Sequence, residues 1–212
     1  HIHSRSANAK WLTEIAHKNP IWIHTKDAKR LGVDNGDLLK ITTEIGWFVD
    51  KVWVTEAIKP GVVACSHHIG RWRRQQDAGN RFMSNTVDIH NMGDGKWKME
   101  TVSGVEPWES NDPDTNRVWW RDGGVHQNIT HAANPDPISG AHCWLQKVSI
   151  SKPESGEKYG DVFVDTNKSF EHYKKWNAWA KEKETHPDGL RRPLWMGRPL
   201  TPQKEQFYLE DK

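Results

Sequence analysis

Four clusters of polar residues carry side chains that can hold a ligand. They are residues 1–6 with Asn8, residues 66–72, residues 123–128 with His131, and the pair Gln146 and Lys147. Their serine, arginine, histidine, asparagine and glutamine side chains donate and accept hydrogen bonds, as phosphates and heterocycle edges require. Ser4, Arg5 and Ser6 precede a helix predicted at residues 7–18, and an anion is favoured at the N-terminus of a helix. These clusters indicate either a site for a phosphate-bearing heterocycle or ordinary capped turns, in which the same residue types are common.

Metal binding by the chain's own side chains is not favoured by the spacing. His67 and His68 are adjacent, and neighbouring side chains of a strand point to opposite faces. The 12 histidines contain no i, i+4 pair of the kind that metalloprotease helices use. We therefore predict no metal ligand in this chain.

Nucleophilic catalysis is not favoured either. Ser66 stands beside His67, but the sequence has no G-x-S-x-G elbow, and a catalytic base needs a third group to orient it. Cys65 and Cys143, the only cysteines, form no metal-binding or disulfide pattern and are predicted to be small buried side chains. No catalytic residue is predicted, and a serine hydrolase remains a minor alternative.

Composition narrows the class of protein. The chain has 212 residues and a net charge of only +2. A nucleic-acid-binding domain usually has a strong basic excess, so we expect no nucleic-acid partner. Its 13 tryptophans, in a chain that is only 35% hydrophobic, indicate a surface that packs against other protein or against a flat aromatic ligand. We predict neither a signal peptide nor a membrane-spanning segment in this sequence, since no apolar run is long enough to cross a bilayer. We expect a segment of a longer polypeptide.

The elements that must position these clusters are mostly strands. We predict strands at residues 38–43, 47–55 and 62–65, the last running directly into the cluster at 66–72. A short helix is predicted to begin after an N-cap at Thr25 and to end at Gly32. Residues 73–117 are polar and are predicted to be an insertion with short strands. Another strand is predicted at 143–150.

The C-terminal part is predicted to differ from this strand-rich centre. Residues 170–183 have the spacing of an amphipathic helix, and the segment from Pro187 is rich in proline, arginine and aromatic residues. The pattern predicts a mainly β fold with flanking helices. Its domains are residues 1–152, a small barrel carrying the insertion, and residues 153–212, a helix with an extended interaction tail.

Several motifs, in order, resemble the domain that closes the catalytic subunit of the dimethyl-sulfoxide-reductase family. They are HSRSANAKWL (residues 3–12), NPIWIH (19–24), AKRLGVDNGD (28–37), VTEAIKPGVV (54–63), SHHIGRW (66–72), and Asn128 followed by DPISG (136–140) and Gln146-Lys147. The resemblance covers roughly residues 1–150. It identifies the chain as a molybdopterin-dinucleotide-binding domain.

This resemblance implies a six-stranded double-psi β-barrel that holds a bis-molybdopterin guanine dinucleotide cofactor with Mo or W. It also implies which residues bind that cofactor. By position in the motifs, these are Ser4, Arg5 and Ser6 for phosphate and pterin, His67, His68 and Arg71 for a pterin, and Asn128 and Lys147 as further contacts.

The resemblance also implies that the chain is part of an enzyme. The family's metal ligand and iron–sulfur cysteines lie in other domains, so we expect this segment alone to be inactive. The implied partners are the rest of the catalytic polypeptide, a membrane anchor and a ferredoxin-like iron–sulfur subunit, which would make the protein membrane-associated. The implied reaction is two-electron redox chemistry, with sulfite, polysulfide or thiosulfate as the suggested substrate. The alternative is a stand-alone β-barrel module that binds a protein partner without a cofactor.

Overall fold

The structure is a computed structural model. It describes residues 3, 12, 15–16, 18–70, 87–101, 124–136, 140–142 and 144–181. Within these residues the chain forms two compact units. The first comprises the described residues within 1–132 and 146–169, and the second comprises those within 133–145 and 170–181.

Strands dominate the described part of the chain. They are β1 (Ile21–His24), β2 (Leu38–Thr42), β3 (Gly46–Thr55), β4 (Val63–Ala64), β5 (Val87–Asn91), β6 (Lys96–Thr101), β7 (Ser149–Ser151) and β8 (Val162–Asp165). The helices are α1 (Thr25–Leu31), α2 (Thr166–Lys181) and a 3-10 helix at Gln127–Thr130. The mainly β architecture with helices is therefore as predicted. None of the helices in the described residues is long and apolar enough to cross a membrane.

All eight strands belong to one open sheet organised around β3. Strand β2 pairs antiparallel along one edge of β3. On the other edge, β1 pairs in parallel with residues 52–55, and β8 pairs antiparallel with residues 46–48. The sheet then extends from β1 to β4, from β2 to β7, and from β8 through β6 to β5. The predicted six-stranded double-psi barrel is not confirmed, because the described strands form an open sheet.

Apolar residues of the central strands form the core. Ile21, Ile23, Leu39 and Val49 are completely inaccessible to solvent, and Val162 of β8 packs into the same region. Burying a side chain of this size contributes about 1.5–3 kcal/mol. These strands therefore give the loops that follow them a rigid base.

Three local predictions are corrected by the structure. The N-cap of α1 is His24 and not Thr25, because the Nδ1 atom of His24 accepts a hydrogen bond from the Lys26 N–H at 3.0 Å. Helix α2 begins at Thr166, four residues before the predicted start, where the Asp165 carboxylate accepts from the Lys168 N–H. Of the described residues in the strand predicted at 143–150, only residues 149 and 150 form a strand, as part of β7. The predicted end of α1 is confirmed, since Gly32 has a left-handed φ of 62°.

Candidate functional site

Two loops that are distant in sequence meet at the side chain of Asn19. This residue lies just before β1 and is 1% exposed. Its amide nitrogen donates to the carbonyl oxygens of Ser66 and Val125, both at 2.9 Å. Its amide oxygen accepts from the Val125 N–H at 2.8 Å. One buried amide group thus joins the loop after β4 to the segment that leads into the 3-10 helix.

At Gly70 the same two loops approach each other too closely for a side chain to fit between them. Gly70 has a φ of 98°, and a Cβ atom there would lie 2.4 Å from the backbone of Val125 and His126. The imidazole Nδ1 of His126 lies 3.1 Å from the Gly70 carbonyl oxygen. Gly70 is therefore needed both for its backbone conformation and for the contact between the loops.

His67 and His68 lie on the first of these loops with their rings side by side. The ring centroids are 3.8 Å apart, and the planes are inclined by 34°. The expectation that the two side chains point apart is wrong, because β4 ends at Ala64 and strand alternation does not extend to the turn that follows. The ring of His3 also approaches, with centroid distances of 5.3 Å to His67 and 4.6 Å to His68. One end of the N-terminal cluster therefore reaches the cluster at 66–72.

The environments of His68 and His126 favour the neutral imidazole. Burial, followed by the nearby charges of His67 and His3, lowers the pKa of His68. Burial also lowers the pKa of His126, against a smaller opposing effect of its hydrogen bond with Gly70. A neutral imidazole presents one N–H donor and one nitrogen acceptor, so it can bind a polar heterocycle edge from either side.

Asn128 connects the 3-10 helix to the loop after β4, residues 66–70, which we call the histidine loop. Its amide nitrogen donates to the carbonyl oxygen of His67 at 2.9 Å. Its amide oxygen is buried and has no hydrogen-bond partner among the described residues. Leaving such a group unpaired costs about 1–3 kcal/mol. A ligand that donates an N–H or O–H to this oxygen would remove that cost, so the residues present fit a hydrogen-bonding heterocycle.

The other residues predicted to bind the cofactor do not lie among the described contacts of His67, His68 and Asn128. Ser4, Arg5, Ser6 and Arg71 lie outside the described residues. Lys147 is exposed in the segment before β7. Its neighbour Gln146 contacts His131, with 3.0 Å between Nε2 and Nδ1. The described contacts thus bring His67, His68 and Asn128 together and do not include Lys147 with them.

Sequence reasoning missed the role of Asn19. The only local signal is its position before Pro20, which indicates no more than the end of a preceding helix. Its three side-chain hydrogen bonds span 47 and 106 residues of sequence. The thiol of Cys65 also donates to the Asn19 carbonyl oxygen, at 2.9 Å.

The comparison with protein families decides what kind of domain this is. Residues 1–96 match the family model of the molydopterin dinucleotide binding domain. Residues 1–96 are a molydopterin dinucleotide binding domain. The resemblance drawn from the sequence motifs is thereby confirmed. The matched part of this dinucleotide-binding domain includes Asn19 and the histidine loop, and it ends before Asn128.

Curated relatives of this dinucleotide-binding domain are reductase subunits. The catalytic subunit of a dimethyl sulfoxide reductase from Halobacterium salinarum is 37% identical over 34% of this chain. The molybdopterin-containing subunit of an arsenate respiratory reductase from Chrysiogenes arsenatis is 34% identical over 28% of the chain. A selenate reductase subunit from Mesobacillus selenatarsenatis is 37% identical over 32%. In each case the match covers only 8% of the relative's own length.

The predicted cofactor is confirmed with the family. The dinucleotide-binding domain implies bis-molybdopterin guanine dinucleotide with Mo or W. Which residues of this chain contact the cofactor stays a prediction.

Proposed function

We propose that this chain is the part of a molybdenum- or tungsten-dependent oxidoreductase that holds one dinucleotide of the cofactor on the loops at 66–70 and 124–130. The observation that supports this most strongly is the meeting of these loops at Asn19, inside and next to the matched domain. Because they are tied to each other and to the sheet, the loops offer a ligand a fixed set of polar groups. Such preorganisation reduces the ordering cost of binding.

Each polar group has a proposed role. The orphaned amide oxygen of Asn128 would accept a hydrogen bond from a pterin or guanine N–H. The imidazoles of His67 and His68 would contact the pterin. Ser4, Arg5, Ser6 and Arg71 would bind the phosphates and the pterin edge, and exposed Lys147 is a further candidate. Arginine suits phosphate because its guanidinium makes bidentate contacts.

When bound, the cofactor supplies two-electron redox chemistry at its metal. The chain's own residues bind and orient the dinucleotide, and hydrogen bonds from the histidine loop to the pterin would tune the metal's potential from a distance. We propose that the segment is inactive by itself.

We also propose a substrate class, partners and a location for the whole protein. A sulfur compound agrees with the name of one relative, the dimethyl sulfoxide reductase, whereas the two other relatives described above are named for arsenate and selenate. A membrane anchor and a ferredoxin-like iron–sulfur subunit remain the proposed partners, with membrane association through them. The double-psi barrel also remains a prediction, which the open sheet of the described strands does not confirm. A stand-alone module without a cofactor is not favoured by the family match.

The test is to quantify the cofactor that the intact catalytic subunit releases. Acid hydrolysis should yield guanine nucleotide and pterin in fixed proportion to Mo or W. The variant Asn128→Ala should retain less cofactor, by a factor of about 10 if one hydrogen bond of roughly 1.4 kcal/mol is lost. The matched control is Asn35→Ala, which loses an exposed side-chain hydrogen bond to Val54 in the turn before β2.

Two results would contradict different parts of the proposal. An intact protein that releases neither guanine nucleotide nor pterin would overturn the function. Equal cofactor retention in the Asn128 and Asn35 variants would leave the function standing and would remove Asn128 from the site.

A further inference from the structure

Three histidine side chains converge on the loop that follows β4. One ring nitrogen of each of His3, His67 and His68 lies within 4.8 Å of those of the other two. His3 is exposed and the other two are partly exposed, so the group is open to solvent. From this geometry we propose that His3, His67 and His68 form a binding site for a divalent transition-metal ion such as Zn²⁺, Ni²⁺ or Cu²⁺.

The spacing is compatible with a metal after small side-chain movements. Zinc–nitrogen bonds are about 2.0–2.1 Å long, so nitrogens around a tetrahedral ion are roughly 3.4 Å apart. The present separations, up to 4.8 Å, exceed that by little more than 1 Å. Rotations about the two χ angles of a partly exposed histidine cover such a distance. Three histidines and one open position, taken by water, complete a common zinc geometry.

The ligand set determines the chemical class of the ion. Imidazole nitrogen suits zinc, copper and nickel, whereas magnesium and calcium prefer carboxylate and carbonyl oxygen. Within the described residues, this group of three contains histidine alone and no carboxylate. Affinity should therefore follow the usual order, with Cu²⁺ bound more tightly than Ni²⁺ or Zn²⁺.

Groups behind the histidines already hold the loop in place. The backbone carbonyl oxygen of His67 accepts a hydrogen bond from Asn128, and the Ser66 hydroxyl lies 3.3 Å from Nδ1 of His68. A hydrogen bond between that hydroxyl and Nδ1 leaves Nε2 of His68 as the metal-binding nitrogen. Supporting contacts of this kind orient metal ligands and fix their tautomers.

This proposal does not depend on the proposed cofactor role of the loop. If both hold, an imidazole bound to a metal ion cannot also contact a pterin with the same nitrogen. Metal ions and the dinucleotide would then compete for His67 and His68.

The experiment is a calorimetric titration of the chelator-treated 212-residue chain with Zn²⁺. We expect one strong site in the unmodified chain. The variants His67→Ala and His68→Ala should each weaken it by about 100-fold, the upper end of the loss seen when only a supporting residue is removed. The control is His90→Ala, which removes an exposed histidine of β5 outside this group and should leave the affinity unchanged. Circular dichroism establishes that the variants remain folded.

A second measurement needs no variant. Electron paramagnetic resonance of the unmodified chain with one equivalent of Cu²⁺ should display hyperfine coupling to three imidazole nitrogens. Coupling to fewer than three nitrogens would overturn the proposal. So would zinc affinities of the His67 and His68 variants that equal that of the His90 variant.

Discussion

Replacing Asn19 with alanine removes the side chain that joins the two loops of the site. The change deletes three hydrogen bonds between 2.8 and 2.9 Å long. Since the residue is 1% exposed, water does not reach its partners without local rearrangement. The variant therefore tests whether the loops are held by this one amide group.

The expected loss of stability depends on which hydrogen bonds each partner of Asn19 keeps in the variant. The carbonyl oxygens of Ser66 and Val125 keep second donors in Gln127, from its side chain at 3.4 Å and its backbone N–H at 3.0 Å. The Val125 N–H instead loses its acceptor. A stranded buried donor costs about 1–3 kcal/mol, and each lost bond to a carbonyl that keeps a second donor costs about 0.5 kcal/mol, at the low end of the usual range. The expected loss is about 2–4 kcal/mol in the free energy of unfolding.

Urea unfolding of the 212-residue chain measures this loss. With an m-value of about 2 kcal/mol per molar, the midpoint should fall by roughly 1–2 M. The control variant Asn35→Ala removes one exposed bond to Val54 and should lose only about 0.5–1 kcal/mol. A smaller loss for Asn19→Ala than for Asn35→Ala would refute the reasoning.

Three further predictions concern the same loops. Gly70→Ala should lower the urea midpoint by an amount equivalent to at least about 1–2 kcal/mol, because φ is 98° and the new Cβ would contact the backbone of Val125 and His126. An unchanged midpoint would mean that the two loops can separate freely. Burial and the nearby charge of Asp50 raise the pKa of the Cys65 thiol, so in a Cys143→Ser background thiol reagents at pH 8 should label the folded chain far more slowly than the unfolded chain, and equal rates would contradict this. The folded-state pKa of His126 lies below its usual 6.5, so its contribution to stability is complete above pH 6.5 and is lost as the pH falls through the folded pKa. The urea midpoint should therefore fall on acidification, and His126→Gln should reduce that fall; an identical pH dependence in the variant would exclude His126 as the cause.

Much of the sheet could be predicted from local sequence because local chemistry determines it. The strands predicted at 38–43 and 47–55 are present as β2 and β3, which pair antiparallel. Gly32 ends α1 because a left-handed cap favours glycine. The prediction of Thr25 as the N-cap is wrong because it rests on hydroxyl side chains being the usual acceptors there, whereas the His24 imidazole performs this role here.

The sequence predicted which residue types form the candidate site, but not the hydrogen bonds and ring contacts between them. The polar clusters marked the loops, yet the contact between Asn19 and Val125 spans 106 residues and has no periodic signal. Likewise, the neighbouring rings of His67 and His68 follow from the turn after β4, which strand alternation did not anticipate. Tertiary contacts of this kind depend on the assembled sheet.

The central claim is that the loops at 66–70 and 124–130 contact the pterin dinucleotide. The most direct measurement is a density map of the intact catalytic subunit isolated with its cofactor. We predict that dinucleotide density lies against His67, His68 and the amide oxygen of Asn128. Dinucleotide density held by other segments, with both loops turned away from it, would contradict the claim.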